Sequence, residues 1–183
     1  MRIIAGRFRG RALAALGKGD AGAHLRPTSD RVRESLFSVL TGLGALDGAR
    51  VLDLFAGTGA LGLEALSRGA AHVTMVENGR VALGLIARNI DLTGSGAETA
   101  IIRRDATKPG ANPGPTCDLV FLDPPYGRGL GEKALAAARA GGWIAPGALV
   151  VWEESTAMPA PEGFAIQDSR RYGDTFVTLL RAP

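Results

Sequence analysis

The sequence predicts an α/β protein built on a mostly parallel sheet with helices on both faces. Three observations lead there. Short apolar runs of strand length alternate with stretches of helical periodicity along most of the chain. The runs are nearly continuous rather than alternating, as strands covered on both faces require. The first of them, Val51, Leu52, Leu54 and Phe55, ends in Gly57, Gly59 and Gly62. That spacing lets the backbone turn tightly after a strand, approach a ligand and open a helix packed on the sheet.

Taken in order, residues 1–13 interleave Ile3, Ile4, Phe8 and Leu13 with arginine and glycine, the pattern of short strands or a hairpin laid against a larger body. Lys18 to His24 reads as a loop. Arg26-Pro27-Thr28-Ser29-Asp30 then leads into a helix capped by Thr28, Ser29 or Asp30. Its apolar face carries Val32, Leu36, Phe37, Val39 and Leu40 until Gly42 and Gly44 stop it. After the first strand, the helix from Leu61 to Arg68 is closed by Gly69. Ala71 to Glu77 predicts the second strand, Val81 to Leu92 a helix, and Ala100 to Arg103 the third strand. A Pro/Gly-rich loop, Pro109 to Pro115, precedes the fourth strand, Asp118 to Leu122, which two successive prolines then end. A helix over Ala134 to Ala140 and a fifth strand over Leu149 to Trp152 follow. Phe164 to Ile166 and Phe176 to Leu180 pair as antiparallel strands, making seven. The chain thus divides into an N-terminal extension, 1–44, and a main domain, 45–183.

Size and composition narrow the function classes. A length of 183 residues suits one domain with a short appendage, and 46% hydrophobic against 21% charged residues excludes a disordered chain. No apolar run reaches the roughly 18 residues needed to span a membrane. The start, M-R-I-I-A-G-R-F-R-G-R, lacks a secretory apolar core, so a cytoplasmic location is expected. Cys117 cannot form an internal disulfide and reads as a small buried hydrophobe, and with two histidines no metal site is expected. The net charge of +3 hides an asymmetry. Residues 1–33 carry eight Lys or Arg against Asp20 and Asp30, so the extension is strongly basic and the remainder mildly acidic. A basic arm on an acidic body points to a polyanion, and arginine suits bidentate phosphate contact.

Ligands of such sheets bind beyond the carboxyl ends of the strands. Asp53, Glu77, Asp105 and Asp123 all lie at or just past such ends, beside the glycine turn. Singly each would be a cap or turn residue; together they indicate a shared site. Glu77 stands 20 residues after Gly57, where a ribose-binding carboxylate is expected. A site of this kind holds a dinucleotide for hydride transfer or S-adenosylmethionine for methyl transfer. Asp123-Pro124-Pro125-Tyr126 resembles the D/N-P-P-Y/F loop of amine methyltransferases, and F-A-G-T-G at 55–59 resembles their methionine-binding turn. The chemistry fits that loop. An exocyclic base amine is a poor nucleophile because its lone pair is delocalised. Asp123 can accept one N–H and the Pro124 carbonyl, held by the stiff Pro124-Pro125 backbone, the other, which stabilises charge developing on the nitrogen. Tyr126 offers a face on which the base can stack.

The resemblance extends further. M-R-I-I-A-G-R-F-R-G-R, R-P-T-S-D-R-V-R-E-S-L-F, D-L-F-A-G-T-G-A-L-G-L-E-A-L-S-R-G-A and D-P-P-Y together closely resemble the RsmD family, the 16S rRNA (guanine(966)-N2)-methyltransferases. The resemblance implies a Rossmann-like class I methyltransferase fold, S-adenosyl-L-methionine as donor without a metal, and N2 methylation of one guanine of 16S rRNA within an assembling 30S particle. It implies that Asp53, Phe55, Gly57, Thr58 and Gly59 shape the methionine side. Glu77 with Asn78 would take the ribose, Asp105 with Ala106 the adenine, and Asp123, Pro124, Pro125 and Tyr126 the guanine. Arg2, Arg7, Arg9, Arg11, Arg26, Thr28, Arg31 and Arg33 would grip the RNA. A monomer acting away from membranes is expected. The readings set against it are a DNA adenine-N6 methyltransferase and a non-catalytic RNA-binding assembly factor. The first usually needs a groove-reading element, for which a chain this short has little room.

Overall fold

In a computed structural model of the chain, which describes residues 1–15 and 30–183, seven strands form one sheet in the order β3-β2-β1-β4-β5-β7-β6. Helix α1 (Asp30–Gly42) precedes β1 (Arg50–Leu54), and α2 (Ala60–Ser67) leads to β2 (His72–Glu77). Helix α3 (Arg80–Thr93) and a short 3-10 turn precede β3 (Thr99–Arg103) and β4 (Cys117–Leu122). The chain ends with α4 (Leu130–Ala140), β5 (Ile144–Glu154), β6 (Ala165–Tyr172) and β7 (Thr175–Arg181). The first five strands are mutually parallel, and β7 inserts antiparallel between β5 and β6. The mixed, mostly parallel seven-stranded sheet is the one expected from the sequence.

Strand alternation splits the core in two. Val51, Val73, Leu119, Phe121, Leu149 and Val151 face one side, packed with α1, α2 and the N-terminal segment. Leu52, Leu54, Val120, Leu122, Val150 and Trp152 face the other, with α4. All eight residues of α2 are buried. Such a helix must be covered on every side: it has the sheet beneath and the N-terminal segment above. Ile3 and Leu13 accordingly belong to the same cluster as Leu36, Phe37 and Leu40 of α1.

Residues 1–15 close into a compact arm. Arg2 and Ala12 form a single antiparallel bridge, and the Ile3 N–H donates to the Arg11 carbonyl at 2.9 Å. The arm docks on α2 through backbone groups. The Ile4 and Ala5 N–H groups donate to the wholly buried Glu64 carboxylate at 2.8 and 3.1 Å, and Arg68 pairs with it at 2.7 Å. The Phe8 N–H reaches Ser67 Oγ at 2.9 Å. A Cβ on Gly6 would collide with the Ser67 carbonyl, so glycine is required for this approach.

Several boundaries shift from the sequence expectation. Strand β5 begins at Ile144 rather than Leu149, with Ile144 paired to Cys117, and β6 runs to Tyr172 rather than Ile166, because pairing with β7 carries its polar residues. Helix α4 begins at Leu130, one turn before Ala134, because glycine and charge dilute its first turn. Strand β5 runs to Glu154, past the apolar stretch, because Glu153 and Glu154 are carried on by pairing with Val177 and Phe176. The expected caps Thr28 and Ser29 and the expected loop from Lys18 to His24 lie outside the described residues, as do Arg26 and Thr28 of the expected RNA set.

Candidate active site

Strand order reverses between β1, whose chain continues toward β2 and β3, and β4, which returns on the other side. Ligands bind in the crevice at such a switch point. The loop after β1 is the glycine turn. Gly59 has φ +77°, and Gly62 packs so tightly that a Cβ would press on Val73 at 2.7 Å. Asp53, buried on β1, accepts the Gly62 N–H at 3.0 Å and so ties strand to helix. Its burial pushes the carboxyl up to about 7 despite that bond, with Glu77 and Glu153 adding to the rise. Phe55 is the one described non-glycine residue with positive φ, at 62°. An aromatic residue in that region is strained, and such strain collects at functional sites.

Phe55 lines a groove together with Val76, Glu77, Asn78, Asp105, Ala106 and Leu130. Its residues suit an adenosine: apolar walls for a flat base, and carboxylates on the rim. Glu77 Oε1 accepts the Asn78 and Gly79 N–H groups at 2.8 and 2.7 Å, and Oε2 accepts the Gly57 N–H at 2.9 Å. Oε2 keeps a lone pair for a hydroxyl. Asp105 Oδ1 accepts both the N–H and the hydroxyl of Thr107 at 2.8 Å, which hold the carboxyl below its usual range and leave Oδ2 as an acceptor. Leu130 carries no sequence signal of its own; only its place at the start of α4 brings it to the groove.

Asp123-Pro124-Pro125-Tyr126 follows β4 directly, across the switch point from the glycine turn. Among the described residues, neither the Asp123 carboxylate nor the Pro124 carbonyl has a hydrogen-bond partner. Desolvation, then the charges of Glu153, Asp53 and Glu154, push the Asp123 carboxyl well above the usual carboxylate range. The loop is fastened from the C-terminal strands. Tyr126 Oη meets Thr175 Oγ1 at 3.3 Å, and burial pushes the phenol up to about 12, so the ring is neutral. The Gly127 N–H donates to both oxygens of Glu154 at 3.2 and 3.3 Å. Thr175 and Glu154 were not legible as site residues in the sequence, because strand pairing alone delivers them. Gly173 and Asp174 form the turn between β6 and β7, and Tyr172 ends β6 paired with Thr175.

The basic residues separate into groups. Arg2, Arg9, Arg11 and Arg31 are exposed. Arg7 is ion-paired with Glu98 at 2.7 Å and lies over the Phe8 ring. Arg33 departs from expectation. It is only 1% exposed, and its Nη2 donates to the Arg2 carbonyl at 2.6 Å and to Asp30 at 2.7 Å. A phosphate cannot reach it in this conformation; the side chain clamps the arm to α1 instead. Its place near Phe37 on the apolar face of α1 is the physical reason.

A family model described as conserved hypothetical protein 95 matches residues 1–181. The chain belongs to that family. The resemblance to RsmD read from the sequence is borne out by its relatives. A protein of Escherichia coli (strain K12), named ribosomal RNA small subunit methyltransferase D, is 40% identical over 153 residues, 84% of this chain and 74% of the relative. One of the same name from Haemophilus influenzae is 36% identical over 179 residues, 94% of this chain and 89% of its own. The solved structure of the Escherichia coli protein yhhF superposes with a TM-score of 0.85 at 36% identity, covering all of this chain and 97% of that one. The family match runs from the arm through β7, so the arm, the glycine turn and the Asp123 loop belong to one inherited unit.

Proposed function

We propose that this protein transfers a methyl group from S-adenosyl-L-methionine to the N2 amine of a guanine in 16S rRNA. The observation that carries this reading is the Asp123-Pro124-Pro125-Tyr126 loop, whose two acceptors have no partner among the described residues, set across the switch point from the glycine turn. The names of its relatives support rRNA methylation in particular. The donor, when bound, supplies an electrophilic methyl on a sulfonium. Glu77 would hold its ribose, Asp105 its adenine amine between the walls of Phe55 and Leu130, and Asp53 with Gly57, Thr58 and Gly59 its methionine side.

The remaining work falls to the chain's own groups. The Asp123 carboxylate accepts one amine proton and the Pro124 carbonyl the other, so the nitrogen lone pair turns away from the ring. As positive charge grows on nitrogen, both acceptors stabilise it, and Asp123 takes the released proton. Tyr126, neutral and anchored by Thr175, offers its face to the extruded base. The exposed Arg2, Arg9, Arg11 and Arg31 meet phosphates, within an assembling 30S particle.

The test is transfer from radiolabelled donor to free 16S rRNA and to 30S particles lacking the modification, followed by nucleoside analysis. N2-methylguanosine at one position is the expected product. Label in duplex DNA alone, or donor binding without any transfer, would overturn the assignment.

A further inference from the structure

Asn89 lies on α3 with its side chain wholly buried. Its Oδ1 accepts the Ala14 N–H at 2.7 Å, while Nδ2 donates to the Ala14 carbonyl at 3.1 Å and to the Thr58 carbonyl at 2.9 Å. One orientation of the amide serves all three. Turning it over would set oxygen against two carbonyls and nitrogen against an N–H. Ala14 closes the arm, and Thr58 stands between Gly57 and Gly59 of the turn. The other end of the arm reaches the same residue, since the Thr58 hydroxyl donates to Met1 Sδ at 3.9 Å. The Leu13 N–H in turn donates to the Met1 carbonyl at 3.2 Å. Thr58 therefore meets both ends of the arm, one directly and one through Asn89.

Anchoring the arm would require only the two bonds to Ala14. The third bond goes to the turn. We infer that Asn89 is a positioning residue that couples the glycine turn to the docked arm, so that methyl donor and RNA each strengthen the other's binding. The inference rests on the function proposed above. A docked arm holds Asn89, and Asn89 holds the Thr58 carbonyl, which keeps the turn in one shape. A ligand that stiffens the turn stiffens the arm by the same route, and such coupling is reciprocal by thermodynamic necessity.

The experiment measures binding of S-adenosylhomocysteine with and without saturating 16S rRNA, and of the RNA with and without saturating S-adenosylhomocysteine. The wild type is expected to gain at least about fivefold in both directions, by the same factor. Asn89→Leu removes all three bonds. Ala14→Pro removes only the N–H that Oδ1 accepts and leaves the bond to Thr58 in place. Asn89→Leu should bring the factor close to one, and Ala14→Pro, which keeps the bond to its own carbonyl, should reduce it while keeping its donor affinity in the absence of RNA. A merely structural anchor would weaken RNA binding without any cross-effect of donor on RNA. A factor of one in the wild type, or an unchanged factor in Ala14→Pro, overturns the coupling. If Asn89→Leu does not fold, Ala14→Pro decides alone. Failure of the wild type to bind S-adenosylhomocysteine at all would overturn the donor reading, and the coupling with it.

Discussion

Two carboxylates at the switch point are held in environments that oppose their ionisation, and each has a measurable consequence. In the proposed reaction Asp123 must be ionised to accept an amine proton, yet burial and three neighbouring acids favour its protonated form. The transfer rate should therefore rise with pH through a range well above that of an ordinary carboxylate, and a pH–rate profile checks it. Asp123→Ala should slow transfer by at least about 100-fold while S-adenosylhomocysteine still binds; surviving turnover would remove Asp123 from the chemistry. For Asp53 the consequence falls on stability. Its folded-state value of about 7 lies above the ordinary 3.8, so folding favours its protonated form. That contribution is present at low pH and is lost as the pH rises through about 7. Asp53→Asn keeps an acceptor for the Gly62 N–H and does not titrate. At pH 8 it should melt higher than the wild type, by the equivalent of about 2–4 kcal/mol, and bind the cationic donor more weakly. Equal melting at high pH would show that burial does not oppose the charge.

At the scale of elements, the arm owes its docking to backbone groups that Glu64 and Ser67 of α2 capture. Gly6 permits that approach, so Gly6→Ala should undock the arm through a collision with the Ser67 carbonyl. The expected result is a loss of stability of about 1–3 kcal/mol and fast hydrogen exchange at Ile4, Ala5 and Phe8. Protection of those amides in the variant would refute the account. Strand β7 plays the corresponding part for the Asp123 loop. By pairing antiparallel with β5 it brings Thr175 to Tyr126, while β5 brings Glu154 to Gly127. The apolar runs at 149–152 and 176–180 identified these strands. They carried no sign of the polar residues beyond their ends, because a periodicity reports what is buried and not what it is paired with.

Across the whole molecule, the basic arm and the acidic strand ends occupy one inherited unit. Replacing Arg2, Arg9, Arg11 and Arg31 together by alanine should weaken RNA binding most at low salt. The slope of log affinity against log salt should become shallower by roughly 0.7 for each phosphate contact removed. Titrations at several salt concentrations check this, and an unchanged slope would take these arginines out of the binding account. The sequence by itself determined the parallel α/β class, the glycine turn, the carboxylates at the strand ends, the Asp123 loop and the charge of the arm. These are local patterns, set by period, spacing and residue type within a few positions. Tertiary structure decided which of them act together. It buried Arg33 while leaving Arg31 exposed, brought Leu130 to the groove and Thr175 to Tyr126, and joined Ala14 to Thr58 through Asn89, 75 and 31 residues away. Contacts between positions so far apart follow from strand order and helix packing, which bring side chains together in space and leave no local pattern in the chain.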